Sequence, residues 1–378
     1  MKILYVCFAI DQNNTKINQI TSDSPAAFVK VSSVCAAINT TGNIAKILSL
    51  GIYNSKLKKT KLMDSTYNNV HIRYIHNLKT KIIRNFYSIF ILPKYIKEEK
   101  PDVVIFYNYA FEYINSINYC RKNNIKFIID IEDGVNKELN ILQYNFRNCL
   151  YNKYIKESGG NVFTVSKRLT QNNNIKNSLV IYGTGIPQKK IELANDKINF
   201  LFCGTIIKET GAEYLISAIN KLSKIEELKN KFFLNICGFG NYDEQLIELQ
   251  NKYPELLKFW GKVDRQTYTE LIDSSDCGVV LRVSETSMAQ TTFPSKIVEL
   301  SLNNLGLITT PASDIPLLFN ENEVYFVNND DDVVEVITKI VNNREEFNTI
   351  RNSLFEKACL HFDMNNIGKN IINFIGKM

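Results

Sequence analysis

The chain has 378 residues, of which 45% are hydrophobic and 22% charged, and a net charge of +6. That length suits two domains of ordinary size, and the balance excludes a disordered or fibrous chain. With no run of about 18 apolar residues nothing is expected to span a bilayer, and eight scattered cysteines without a C-x-x-C pair exclude a disulfide framework.

The cysteines are expected as small core residues in a reducing cytoplasm. Three histidines, His71, His76 and His361, are too few for a histidine-rich metal site. The two halves differ in charge: residues 1–195 hold 27 Lys and Arg against 13 Asp and Glu, and residues 196–378 hold 18 against 26. A balance of +14 facing one of −8 points to an anionic surface or polyanion met by the first half.

In chain order, the apolar start MKILYVCFAI meets Asp11 without a small-residue cleavage site and reads as a buried first strand, not a signal peptide. A polar segment, residues 11–24, precedes a helix over residues 25–38, and no G-x-G-x-x-G turn stands where a dinucleotide would need it. Strands follow at 44–50 and 70–75. Residues 78–100 set Lys79, Lys81, Arg84, Lys94 and Lys97 beside Phe86, Tyr87, Ile89, Phe90, Ile91 and Leu92, with Pro93 interrupting. Such a composition suits a helix lying on a membrane surface, and equally a core helix with a basic outer side. After Lys100-Pro101-Asp102 come the strand VVIFY, a helix over 111–122 and a strand over 125–131 that delivers Glu132-Asp133-Gly134 to its carboxyl end. Acids there sit where α/β sheets place chemistry, although Asp also caps helices. A strand at 162–165 and the segment 179–186 close the first domain, and 188–196 is a linker.

The second domain opens with a strand at 198–203, the turn Gly204-Thr205 and a helix from Gly211. A strand at 232–237 leads to Gly238-Phe239-Gly240, a helix over 242–250, the short strand Phe259–Val263 and a helix over 265–275. The organising stretch is residues 277–310: an apolar strand ending on Arg282, a polar loop, a helix opening Phe293-Pro294-Ser295-Lys296, and a strand from Leu305. Pro294 suits the first helical position and Phe293 has no side-chain oxygen to cap the free N–H groups. Those amides, the dipole and Lys296 make a ready phosphate site. Glu299, three residues on, shares the Lys296 face and suits a ribose diol, although a solvated Lys–Glu pair has the same spacing. Beyond residue 310 a loop, a strand near 324–327, the acidic turn Asp330-Asp331-Asp332 and two helices are expected. The triplet reads as a charge complement to a helix start rather than a metal site.

The series Gly204-Thr205 to Gly211, Gly238-Phe239-Gly240, Trp260-Gly261-Lys262-Val263, Asp276-Cys277-Gly278 and Phe293-Pro294-Ser295-Lys296-x-x-Glu299 resembles the donor half of glycosyltransferase family 4. The first half resembles it only through Lys100-Pro101-Asp102-Val103-Val104 and general layout. The resemblance implies the α/β GT-B fold, with two Rossmann-like domains facing across a cleft. Residues 1–187 would bind the acceptor, joined by the helix 361–378, and residues 196–360 would bind the nucleotide sugar. It implies a retaining, metal-independent hexosyltransferase with no cofactor, using a UDP or GDP sugar and a saccharide acceptor. A basic acceptor half adds the expectation of a lipid-linked acceptor in bacterial surface polysaccharide synthesis, in the cytoplasm or at the inner membrane face. Nucleic acid is not expected.

Residue by residue, the resemblance gives Glu299 the ribose hydroxyls and gives Thr292, Phe293, Ser295 and Lys296 the diphosphate. Arg282 adds a second cation, Lys262-Val263 flank the base, and Gly204, Thr205, Gly238 and Gly240 line the nucleotide. Arg282 and Lys296 would stabilise the leaving diphosphate, while Glu132 or Asp133 would face the sugar. The chain departs from the family at Thr291, Thr205 and Thr210, where an acid, an arginine and a lysine are usual, leaving Lys208 as a further candidate cation. These losses keep a catalytically lapsed nucleotide-binding or scaffold protein open, alongside a GT-B sugar-nucleotide epimerase. Asn304, where glycine is usual, is expected to accept the left-handed conformation.

Overall fold

A computed structural model describes residues 1–18, 20–22, 25–51, 53–54, 62–75, 81–132, 134–135, 140–189, 197–283 and 290–378, and of residues 21–22, 25, 53–54 and 81–84 the backbone alone. The chain divides into two compact units, Met1–Thr184 with Met364–Met378, and Gly185–Asp363.

The first unit contains β1 (Lys2–Cys7), β2 (Thr21–Ser22), β3 (Ile44–Ser49), β4 (Tyr53–Asn54), β5 (Ser65–Tyr67), β6 (Val70–Tyr74), β7 (Val103–Tyr107), β8 (Lys126–Ile131), β9 (Asn161–Thr164) and β10 (Asn177–Val180). Eight of them form a sheet in the order β10-β9-β8-β7-β1-β3-β6-β5, parallel except for β5, and β2 pairs with β4. Strand β7 is apolar at successive positions because helices cover both faces of a parallel sheet, and Val103 to Phe106 are all buried. The strand order reverses between β1 and β7. The last helix, Met364–Gly376, packs on the helix Pro25–Asn39, and Gly368 is what lets them meet: a Cβ there would fall 2.0 Å from the Ala37 carbonyl oxygen.

Several local expectations change. The polar stretch after β1 holds a helix, Gln12–Ile17, because the Asp11 carboxylate caps it by accepting from the Asn14 amide at 2.9 Å. Helix Lys81–Glu99 runs on through Pro93, which removes one backbone donor without ending it. Lys79 lies outside the described residues, as do the side chains of Lys81 and Arg84.

The second unit is built on β11 (Ile198–Ile206), β12 (Phe232–Gly240), β13 (Leu257–Phe259), β14 (Cys277–Val280), β15 (Gly306–Thr309) and β16 (Tyr325–Phe326), all parallel in the order β13-β12-β11-β14-β15-β16. The order reverses between β11 and β14, and such a reversal opens a crevice at the carboxyl ends of the two strands.

The two glycine segments prove to be strand ends rather than turns. Pairs Gly204–Gly238 and Ile206–Gly240 remain in register because side chains are absent where the backbones close up. A Cβ on Gly238 would lie 1.8 Å from the Gly204 carbonyl oxygen. Conversely, β13 stops at Phe259, and Gly261, at φ 60, turns Lys262 and Val263 out of the sheet. Strand β14 ends at Val280, two residues before Arg282. Asn304 has φ 55, the left-handed conformation expected of it. Beyond residue 310 stand a short helix, Ile315–Leu318, and then three long helices rather than two, Asp330–Asn342, Arg344–Phe362 and Met364–Gly376. The acidic triplet forms the first turn of Asp330–Asn342, where Asp330 and Asp331 also hold Lys221 at 2.7 and 2.5 Å.

Candidate functional site

In the second unit the helix Ser295–Leu302 begins at the crevice. Pro294 is its N-cap, not its first helical residue: its ψ of 114° is extended, and it offers no side-chain cap to the helix. Among the described residues the opening amides therefore have no side-chain cap, and Ser295 is exposed beside them. Phe293 is buried against Phe362, with ring centroids 6.1 Å apart, which anchors the turn that aims the helix.

One turn in, Lys296 Nζ donates to Glu299 Oε2 at 2.8 Å and to the Tyr268 hydroxyl at 2.7 Å. Tyr268, from the helix Arg265–Ser274, donates in turn to Glu299 Oε2 at 2.9 Å, and its hydroxyl stands 3.6 Å from Cys203 Sγ in the second half of β11. Lysine, glutamate and tyrosine thus converge on the strand that Gly204 continues. Burial pulls the Lys296 ammonium down, but Cys203 and Glu299 outweigh it and hold its pKa above the ordinary lysine value. Burial, with Cys203 and Glu299, pushes Tyr268 well up, so it remains a neutral donor.

Arg282 reaches the same crevice from beyond β14. Its amide donates to Thr310 Oγ1 at 2.9 Å and its carbonyl accepts from the same hydroxyl at 3.0 Å, while Nη2 donates to Thr292 Oγ1 at 3.0 Å. Thr292 thereby ties the guanidinium to the segment that opens the helix. Lys262 is exposed, 5.6 Å from the Phe239 ring centroid, and Phe239 is itself 56% exposed at the end of β12, an aromatic face open to a planar ligand. Val263 is partly exposed and Thr205 exposed. Thr210 bonds the Thr205 carbonyl at 2.6 Å, so this residue acts on the backbone where a lysine was expected by resemblance. Lys208 is largely exposed with Glu213 3.8 Å away, and Thr291 is buried.

Glu132 belongs to the first unit. It follows β8, its amide donates to Asn108 Oδ1 at 2.9 Å, and its carboxylate is paired with Lys30. Lys30, on Pro25–Asn39, also holds Asp130 at 3.0 Å, and Asp130 accepts from the Tyr5 hydroxyl. Burial lowers the Lys30 pKa but Asp130 and Glu132 raise it further, leaving it above the ordinary value. Glu132 is therefore a charge-compensated acid, not an unopposed base. Asp133 lies outside the described residues.

Sequence reasoning missed Tyr268, Cys203 and Lys30. Lys30 carried a signal: it is a single cation in the apolar run PAAFVKVSSVCAAIN, where a lysine must find acids. Tyr268 carried none, since 28 residues separate it from Lys296.

Residues 184–354, nearly the whole second unit, match the family model described as glycosyl transferases group 1. No curated protein sequence matches the chain. Among solved structures, HepE of Anabaena in complex with UDP is 11% identical with a TM-score of 0.71 over 100% of both chains. The lipopolysaccharide outer core galactosyltransferase WaaB in its apo form is 14% identical with a TM-score of 0.64, over 100% of this chain and 99% of that one. A candidate UDP-N-acetylglucosamine 2-epimerase of Listeria monocytogenes is 10% identical with a TM-score of 0.62, over 100% of this chain and 96% of that one. The fold is that of the GT-B glycosyltransferases.

Proposed function

We propose that this protein is a retaining glycosyltransferase of the family 4 type that transfers a sugar from a nucleotide diphosphate to a saccharide acceptor without a metal. The observation that carries this is the uncapped start of Ser295–Leu302 with Lys296 and Glu299 on one face and Arg282 tied to it through Thr292. Helix amides and two cations suit a diphosphate; Glu299 suits the ribose diol, and Phe239 the base. The UDP in the Anabaena HepE structure makes UDP the first nucleotide to try. On departure of the diphosphate, Arg282, Lys296 and the amides oppose the charge that develops on its oxygens. Glu132, held by Lys30, acts on the acceptor side as a hydrogen-bond acceptor for sugar hydroxyls, with Asp133 beside it in sequence.

The acceptor is lipid-linked, of the kind used in bacterial surface polysaccharide, and is met at the inner membrane face. In helix Lys81–Glu99, Phe86, Tyr87 and Phe90 are exposed, with Lys94 and Lys97 exposed further along the Phe90 face. Ile141, Leu142 and Phe146 are exposed at the start of Ile141–Glu157, and Phe146 meets Phe111 at 5.8 Å. Apolar side chains beside cations in a half carrying +14 suit an anionic bilayer surface.

The test is a thermal-shift series with UDP, GDP, ADP and CMP, followed by donor turnover and the anomeric configuration of the product. A shift of several degrees with UDP is expected, since a ligand at a hundred times its Kd adds about 2.7 kcal/mol. No shift with any nucleotide would overturn the donor site. The Listeria structure favours one second reading, a sugar-nucleotide epimerase, and conversion of the donor to its epimer without transfer would establish it.

A further inference from the structure

Cys203 and Cys237 occupy opposed positions on the parallel strands β11 and β12, one residue before the Gly204–Gly238 pair. Adjacent strands stand about 4.8 Å apart, within the roughly 4.4–6.8 Å that a disulfide spans between Cα atoms. Both thiols are free. Cys203 is partly exposed whereas Cys237 is 3% exposed, so the first is the more accessible of the two residues. The neighbouring Cys237, then the Lys296 charge and the Tyr268 hydroxyl, lower the Cys203 pKa against burial, while Cys203 and burial raise that of Cys237. A cysteine near the Lys296 charge, paired in register with a second and more buried cysteine, is the arrangement of an attacking and a resolving cysteine.

We propose that Cys203 and Cys237 form a dithiol that a hydroperoxide oxidises reversibly to a disulfide at the edge of the crevice. The Cys203 thiolate attacks one peroxide oxygen, the O–O bond breaks, and the departing hydroxide takes a proton to leave as water. The Cys237 sulfur then attacks the resulting Cys203 sulfenic acid, the S–O bond breaks, and the hydroxide leaves as water with the Cys237 proton. Two thiols lose two electrons and one hydrogen peroxide gains them. The new bond draws together β11 and β12 one residue before the point where Gly204 and Gly238 are already in closest approach, and takes the Cys203 sulfur from Tyr268. Its effect on nucleotide binding rests on the donor reading above; the oxidation does not.

The test uses the full chain with hydrogen peroxide as the probe, then N-ethylmaleimide labelling and peptide mapping, with a UDP thermal shift measured alongside. Expected is a linked pair of peptides carrying Cys203 and Cys237, two hydrogens lighter than their sum and separated by dithiothreitol. Exposed Cys149 should remain unlinked to either. The UDP shift should be lost on oxidation and return on reduction. Cys203 and Cys237 both remaining alkylatable after peroxide, or Cys203 ending as a sulfinic acid with Cys237 still alkylatable, would overturn the proposal. In a Cys237→Ser protein, Cys203 should stop at the sulfenic acid; a disulfide from Cys203 to another cysteine in the parent chain would count against the pairing. A linked pair in a protein that never shifts with UDP would sink the donor reading and leave the dithiol standing.

Discussion

Two partly buried lysines, one in each unit, show how the same side chain comes to serve different ends. Lys30 is 12% exposed and meets two carboxylates, one of them, Asp130, wholly buried. Lys296 is 30% exposed and meets one carboxylate, itself 27% exposed, beside an uncapped helix start and with Arg282 nearby in sequence to its threonine partner. The first cluster has more acid than base, so the cation is consumed in holding the acids. In the second the positive contributions exceed the single acid, and an anion is the natural complement. Burial and charge balance, not residue type, separate a lysine that stabilises from one that binds.

The comparison breaks most readily at Lys30. A Lys30→Met protein leaves Asp130 buried without its cation, and such loss typically costs about 3–5 kcal/mol. Its melting temperature should fall by on the order of 10 °C, as differential scanning calorimetry would show. The pH dependence has a definite sign. The folded pKa of Lys30 lies above its unfolded value, so its contribution is complete below about 10.4 and is lost as pH rises through the folded pKa. The gap between parent and Lys30→Met should therefore narrow at strongly alkaline pH; a gap that widens there would refute the ion-pair account.

Lys296→Met should behave in the opposite way. Melting should change little, while turnover of the donor should fall by about 3 kcal/mol of barrier, roughly two orders of magnitude. A Lys296→Met protein that turns over donor at the parent rate would remove the phosphate assignment. If instead it lost stability as Lys30→Met does, the second cluster would be structural as well. A smaller effect is expected of Gly238→Ala, where the added methyl meets the Gly204 carbonyl at φ 145. Overpacking of that kind costs about 1–3 kcal/mol, and it should also weaken UDP binding in the thermal-shift series, which a purely local clash would not.

How much of this was legible in the sequence follows the same division. Lys296 and Glu299 are three residues apart on one helix, so their contact was visible from spacing alone. Lys30 and Asp130 are 100 residues apart, and nothing local announces that the helix Pro25–Asn39 lies over the end of β8. The parallel strands were readable as apolar runs, since burial on both faces leaves no polar position. Their ends were not: Gly204 and Gly238 look like turn residues, and only the pairing of one against the other shows that glycine here continues the ladder. Trp260 to Val263 read as a strand from its apolar and aromatic letters until Gly261, in the left-handed conformation, ended it.

The finest discrimination is at Tyr268, which spacing could not find and geometry puts between the lysine and the acid. Its hydroxyl accepts from Lys296 at 2.7 Å and donates to Glu299 at 2.9 Å. If that relay only fills space, Tyr268→Phe should cost about 1 kcal/mol of stability for the lost hydrogen bonds and leave UDP binding as it was. If the hydroxyl orients the pair for a nucleotide, the same substitution should weaken UDP binding about fivefold to tenfold, since 1.4 kcal/mol is tenfold, with little change in melting. The second outcome is expected: Lys296 and Glu299 still contact each other at 2.8 Å without the tyrosine, so the fold keeps its ion pair while losing the group that fixes where the carboxylate points. Isothermal titration of UDP against Tyr268→Phe and Glu299→Gln would separate the cases, because a carboxylate that holds ribose hydroxyls must lose more on its own replacement than on that of its neighbour.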